Sequence, residues 1–99
     1  MPALFVIQAD LSADATLSAR YREYQVQVGP LIEAHGCLFR ASGIGLEVLE
    51  GAHDGRRLIV FEFPSMASLR AFWESPEYAA LKDLRADAAR IDAWALPAQ

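Results

Sequence analysis

Residues Ala3 to Ala9 (ALFVIQA) are almost wholly apolar and rich in β-branched and aromatic types over a stretch too short for a helix, which predicts a first strand. The period then changes. After Asp10-Leu-Ser-Ala-Asp14, a run of turn and N-cap types, Leu17, Tyr21, Tyr24, Val28 and Leu31 recur at spacings of four, three, four and three. That is the stripe of an amphipathic helix from about Asp14 to Ala34. Gly29-Pro30 falls inside it and predicts a kink or a restart, because proline lacks an N–H and crowds the preceding turn. His35-Gly36 ends the helix, glycine supplying the left-handed residue beyond it. Cys37 to Ser42 returns to strand character, and Leu46 to Glu50 reads as a further extended piece, the two forming one long strand bent at Gly43-Ile-Gly45. A turn over Gly51 to Gly55 leads into Arg57 to Phe63 (RLIVFEF), the strongest strand pattern in the chain. Ser65 can cap a helix carrying Leu69, Phe72 and Trp73. Ser75-Pro76-Glu77 restarts it with a hydroxyl cap, a proline at the first helical position and an acid in the first turn, and Tyr78, Leu81, Leu84 and Ala88 continue the apolar face. Arg90 to Leu96 form the last strand, ended by Pro97.

The order β-α-β-β-α-β over residues 1–99, with no linker, repeat or low-complexity segment, predicts a single α+β domain of the ferredoxin-like, split β-α-β type. Strands one and three then lie side by side at the centre of an antiparallel sheet, with both helices on one face. Side chains alternate along a strand, so Ile59, Phe61 and Phe63 oppose Leu58, Val60 and Glu62, and Phe5 and Ile7 oppose Leu4 and Val6. Both faces are apolar. A sheet with one face in water shows polar residues there, so something covers the side opposite the helices. With no sequence left over, that cover is a second copy of the chain. The bland alternative is a greasy monomer surface.

Composition points the same way. Of the 99 residues 54% are hydrophobic and 22% charged, against about 45–50% and about 25% in typical domains. A chain of this length buries only roughly two-thirds of its unfolded surface, so association adds burial that one copy lacks. The net charge of −4 and nine scattered basic residues argue against a nucleic-acid partner. The one cysteine, Cys37, forms no internal disulfide, which fits a reducing compartment. Met1-Pro2-Ala3 runs into the first strand without a basic n-region, and no apolar run approaches the ~20 residues of a membrane span, so cytoplasmic residence is the expectation.

Glu62 is the most informative polar position. A carboxylate at an alternating site of a hydrophobic central strand must be neutral, paired or solvated in a cavity, where it would serve as acid or base. His35, at a helix C-terminus whose dipole favours its cation, is the second candidate acid–base group. Each also has a structural reading: Glu62 as the partner of a nearby arginine, His35 as a donor to helix carbonyls. Arg40 shares parity with Leu38 and Ser42, faces the open side of the sheet, and offers a fork to a carboxylate ligand. Arg85, one turn after Leu81, is placed to pair with Glu62 or Glu77 or to hold a ligand. Tyr21, Tyr24, Trp73 and Tyr78 form aromatic rows at helical spacing, either core or pocket walls whose polar atoms orient a ligand. His53 reads as a solvated turn residue. Two histidines without ligand spacing indicate no metal, Ser65 and Ser75 read as caps rather than nucleophiles, and Cys37 as an inert thiol. Gly43-Ile-Gly45 lacks the following helix of a phosphate loop, and no cofactor is indicated.

From Tyr24 to Leu96 the chain resembles a known family, the bacterial domain-of-unknown-function family thirteen-thirty of the dimeric α/β-barrel superfamily. The resemblance rests on Pro30-Leu-Ile-Glu-Ala-His-Gly36, Leu49-Glu-Gly51, Glu62-Phe-Pro-Ser65, Ala71-Phe-Trp73, Ser75-Pro-Glu-Tyr78 and Arg85. It implies a ferredoxin-like protomer whose sheet packs on a partner's sheet to close a barrel, and it implies no assigned reaction. Cys37 departs from the pattern, standing where the second glycine of a Gly-Gly pair is expected.

Three functions are compatible with this. One is a small-molecule enzyme with a pocket between sheet and helices, such as the cofactor-independent oxygenases and isomerases of the superfamily, an analogy of fold alone. Another is a non-catalytic binder of a small organic acid or aromatic compound. The third is a stress or accessory dimer with no pocket chemistry. Convergence of Glu62, His35 and an arginine in a closed cavity favours the enzyme, an arginine among aromatics without an acid–base pair favours the binder, and a face filled by side chains favours the third.

Overall fold

The computed structural model describes residues 1–11, 14–43 and 46–98. The elements are β1 (Ala3–Leu11), α1 (Ala15–Ala34), β2 (Leu38–Ser42), β3 (Arg57–Phe63), α2 (Met66–Trp73), α3 (Pro76–Arg85) and β4 (Ala89–Pro97). The strands make one antiparallel sheet in the order β2-β3-β1-β4, with β1 and β3 at the centre. The helices pack on one face of it, the ferredoxin-like arrangement the element order predicts.

Each helix begins where its cap residue dictates. The side chain of Asp14 accepts from the Leu17 N–H at 3.0 Å, that of Ser65 from Ser68 at 3.0 Å and that of Ser75 from Tyr78 at 3.1 Å. The kink or restart expected at Gly29-Pro30 does not divide α1, which runs on through Pro30. The carbonyl that Pro30 leaves unbonded belongs to Val26, whose side chain is 70% exposed, so water can serve it. Gly36 has a φ of +80°, and a Cβ there would meet Pro64 Cγ at 2.8 Å. This glycine of the expected pair is therefore the one the backbone requires, and Cys37 beside it takes an ordinary conformation.

The strands depart from expectation in two places. β1 and β4 are longer than their patterns suggest, because Asp10 pairs with Arg90 and Leu11 with Ala89 across the ladder. Conversely, Leu46 to Glu50 is not a strand. β3 begins at Arg57, only two residues before Ile59, so the β2 ladder ends close to the start of β3 at Ser42↔Ile59, and Leu46 to Glu50 adds no rung to it. Ser12, Ala13, Ile44 and Gly45, part of the expected turn and bend, lie outside the described residues.

Ala3 and Phe5 of β1 and Phe63 of β3 face the helices, where Phe72 of α2 is the hub. Its ring lies 6.1 Å from Phe5, 5.7 Å from Phe63 and 4.5 Å from Tyr78. The other face carries Leu4, Val6, Leu58 and Val60, half-buried, with Leu38, Trp94 and Leu96 exposed at 52%, 48% and 44%. Truncating Phe72 to alanine is expected to cost about 3–5 kcal/mol, and Gly36→Ala about 1–3 kcal/mol from the φ penalty and the clash with Pro64. Denaturant midpoints check both, and a Gly36→Ala variant as stable as the parent would contradict the close approach described.

Candidate functional site

Between the helical layer and the sheet lies a cavity of about 90 Å³. Its floor is apolar, from Phe5 and Ile7 of β1, Ile59 and Phe61 of β3, and Ile91 and Ala93 of β4. Its roof is aromatic, with Tyr21, Tyr24 and Val28 from α1, Trp73 from α2 and Tyr78 from α3. The roof residues are those of the helical stripes, and the floor residues share one strand parity, so the period of each element aims them at one space. Trp73 is held by Phe5 at 5.8 Å and Tyr78 at 5.2 Å, with the Lys82 ammonium 4.1 Å above its ring.

The polar end of this space is a pair of phenols. The Tyr24 and Tyr78 hydroxyls are 2.9 Å apart, linking α1 to α3 across 54 residues of sequence. Arg85 Nη2 donates to the Tyr78 hydroxyl at 3.4 Å, and the guanidinium carbon sits 5.8 Å from the Tyr24 ring and 6.0 Å from that of Tyr78. Two hydroxyls carry two hydrogens. One is used between them and Arg85 supplies its own, so one hydroxyl hydrogen has no acceptor among the described residues. Arg85 Nε is also buried without a hydrogen-bond partner there. Burial raises the Tyr24 hydroxyl well above the ordinary phenol pKa, helped by Tyr78 beside it, and burial likewise raises Tyr21. Desolvation alone would lower the Arg85 guanidinium, but attraction and a hydrogen bond to Tyr78 carry it above its usual value. Tyr24 is thus held as a neutral phenol beside a fixed cation.

The residues singled out from sequence divide between the two sides of the sheet. Glu62 points to the open face, where its Oε2 accepts from Arg40 Nη2 at 3.2 Å. Arg40 stands at a bulge between Phe39 and Ala41, and this shifts Ser42 to pair with Ile59, on the face of Phe39 and not that of Leu38. His35 caps α1 on the helical side. Its Nδ1 donates to the Leu31 carbonyl at 2.9 Å, its own carbonyl accepts from Ser68 Oγ at 2.6 Å, and its ring lies edge-on to Phe72. Glu62, Arg40 and His35 line neither this cavity nor the one beside it, whereas Tyr24, Trp73 and Tyr78 line the first and Arg85 backs it. Arg85 pairs with tyrosines and with neither Glu62 nor Glu77. His53 is not simply solvated: its Nδ1 accepts from the Gly55 N–H at 3.1 Å and its Nε2 is buried.

Sequence reasoning missed Gln25, Val28 and Ile32 as walls, and missed that the two tyrosines share a bond. The signal available was the stripe Tyr78, Leu81, Arg85, which sets a phenol and a cation on one helical face. Nothing local links that face to Tyr24. Cys37 is buried, which pushes its thiol up to about 11. Among the described residues no three His, Cys, Asp or Glu side chains gather to hold a metal ion, and no helix is long and apolar enough to cross a membrane.

Fold and cavity define a ferredoxin-like α+β domain with an aromatic space between its layers. Among solved structures, the RPA0582 protein of unknown function from Rhodopseudomonas palustris is 21% identical, with a TM-score of 0.75 over 99% of this chain and 83% of that one. A dimeric ferredoxin-like protein of unknown function from Jannaschia sp. CCS1 is 10% identical, with a TM-score of 0.69 over 99% and 100%. SnoaB, a cofactor-independent oxygenase from Streptomyces nogalater, is 9% identical, with a TM-score of 0.66 over 99% and 93%. At these identities the likeness establishes the fold. No curated protein matches the chain. The family described as Domain of unknown function (DUF1330) matches residues 6–98, and the chain belongs to it.

An acid whose pKa is higher in the folded chain lends stability that is complete below its unfolded value and is lost as pH rises through the folded one. The ordinary values are 9.0 for the Cys37 thiol and 10.0 for Tyr21 and Tyr24, and all three are raised. The melting temperature should therefore hold steady to about pH 9 and fall beyond it, most steeply above about pH 10. In Tyr24→Phe the fall above about pH 10 should be shallower. An unchanged slope in melting curves across that range would remove Tyr24 as the cause.

Proposed function

We propose that the chain is a homodimeric binding protein for a small aromatic acid, which it holds between helices and sheet without turning it over. The observation that carries this is the Tyr24–Tyr78 hydroxyl pair at 2.9 Å with Arg85 behind it, at the end of an otherwise apolar cavity. Such a site offers flat apolar walls to a ring, and one spare hydroxyl hydrogen with a nearby cation to a carboxylate. Catalysis is less well supported, because Glu62 and His35, the groups suited to move a proton, lie on opposite sides of the sheet and meet neither each other nor the cavity. The reaction of SnoaB belongs to a chain that shares the fold alone.

The dimer is supported by the apolar open face and by the dimeric relative from Jannaschia. The domain is a thin slab, with a shortest extent of 16 Å, and a second sheet laid on Leu4, Val6, Leu58 and Val60 would give that face the cover the helices give the other. The Arg40–Glu62 pair would then be drawn out of water as a pair, which is the form in which a charge tolerates burial.

Two measurements test the two halves. Sedimentation at micromolar concentration should give twice the 10.9 kDa chain mass, and Val60→Glu should give a monomer; a monomeric parent would end the dimer reading. Benzoate or phenylacetate at millimolar concentration should raise the melting temperature by several degrees and change Trp73 fluorescence, since a ligand bound only by the folded state stabilises it. Arg85→Leu should weaken that binding by roughly tenfold or more, the worth of a charge-assisted hydrogen bond. No shift with either acid would refute the binder, and consumption of the acid in air would replace it with an enzyme.

A further inference from the structure

A second cavity, of about 260 Å³, abuts the first. The two share Gln25, Val28, Ile32 and Phe61 in their walls, so these side chains form a common boundary. Beyond that boundary the second space runs under α1 toward the β2 edge, bounded by Cys37, Phe39, Gly29 and Glu33. Two features mark it as a space kept open. Gly29 sits in the middle of a helix, where glycine costs about 1 kcal/mol relative to alanine, and a Cβ built on it would meet nothing within 4 Å. Phe39 faces the helical side of the sheet, edge-on to Phe61 at 5.9 Å, yet its side chain is left 62% exposed at the mouth.

We infer that the two cavities are one elongated site, entered at the β2 edge, and that its ligand is an aromatic acid bearing an apolar tail. The acid end meets the Tyr24–Tyr78 pair, the ring fills the space over Phe5 and Phe61, and the tail lies along Val28 and Ile32 toward Cys37 and Phe39. The chemistry of the walls changes along this line. The hydrogen-bonding groups are the tyrosines at one end, Gln25 at the boundary between the two spaces and Glu33 at the far rim, and the rest of the wall is mainly apolar. A short acid would leave Phe39 wet and the second space unfilled, and a tail removes both deficits by burying apolar area on both sides. This inference rests on the proposed binding of an aromatic acid and adds its shape and its route of access.

The test is a series of benzoate, 4-ethylbenzoate, 4-butylbenzoate and 4-hexylbenzoate, measured by calorimetry on the full chain, with iodoacetamide labelling of Cys37 at pH 9 as a footprint. Affinity should rise by about fourfold for each buried methylene, and only the longer members should slow alkylation of Cys37. In Gly29→Leu, whose side chain would occupy the second space, benzoate should bind as in the parent while the gain from the tail disappears. Gly29→Ala, which adds little volume, should keep that gain and controls for the helix itself. Benzoate binding that a tail does not improve, or a tail that leaves Cys37 alkylation unchanged, would overturn the single elongated site while leaving the binder intact. A thiol alkylated in the free protein still more slowly than its raised pKa accounts for would also overturn it, since the second space would then be closed to solvent. Failure of every member, benzoate included, would overturn the binder and this inference together.

Discussion

Two phenol hydroxyls brought into an apolar layer must find partners, and most of the site follows from how Tyr24 and Tyr78 do so. Each lies on the buried stripe of its helix, with 8% and 2% of its surface exposed. A hydroxyl left unpaired at such a place costs about 1–3 kcal/mol. Bonding to each other gives each hydroxyl a partner and fixes α1 against α3, which no backbone ladder could do. It also leaves a place for Arg85, whose cation is tolerated half-buried because two ring faces and a hydroxyl oxygen receive it. The cavity lies beside this polar knot, between α1 and the sheet.

The sheet separates two chemistries. On the helical side the floor is phenylalanine and isoleucine, and the polar groups come from above. On the open side the apolar residues of β1 and β3 are interrupted by the Arg40–Glu62 pair near the β2 edge, with Asp92 of β4 bonded to Arg56, which is held in turn by Asp54 at 2.8 Å. An exposed ion pair contributes little to the stability of one copy. Its role is better sought in the register it would impose on a second sheet, because charges on a greasy face penalise any docking that leaves them unpaired. The proposed ligand and the proposed partner would thus address opposite faces of the same central strands, β1 and β3 serving both through their alternation.

The helix caps, the two short helices, the strand Arg57–Phe63 and the order of elements were legible in the sequence, because each is decided by a few neighbouring residues. Ser65 and Ser75 are polar groups beside orphan N–H donors, and Pro76 fits only the first turn. The same local logic mistook Leu46 to Glu50 for a strand, since an extended pattern says nothing about whether an edge is free to pair. It also ended β1 at Ala9, short of Asp10, which β4 keeps in the ladder through Arg90.

The sequence by itself determined which residues are inward on each element, and hence that both faces of the sheet are apolar and that an aromatic layer lies between helices and sheet. This follows because the periods of a strand and a helix are properties of the local backbone. Only the tertiary structure decided that Glu62 and His35 lie on opposite sides of the sheet, that a bulge in β2 at Arg40 parts Ser42 from the face of Leu38, and that Tyr24 meets Tyr78. Those outcomes depend on crossings and registers between segments far apart in the chain, and a hydrogen bond spanning 54 residues leaves no trace in the spacing of its neighbours.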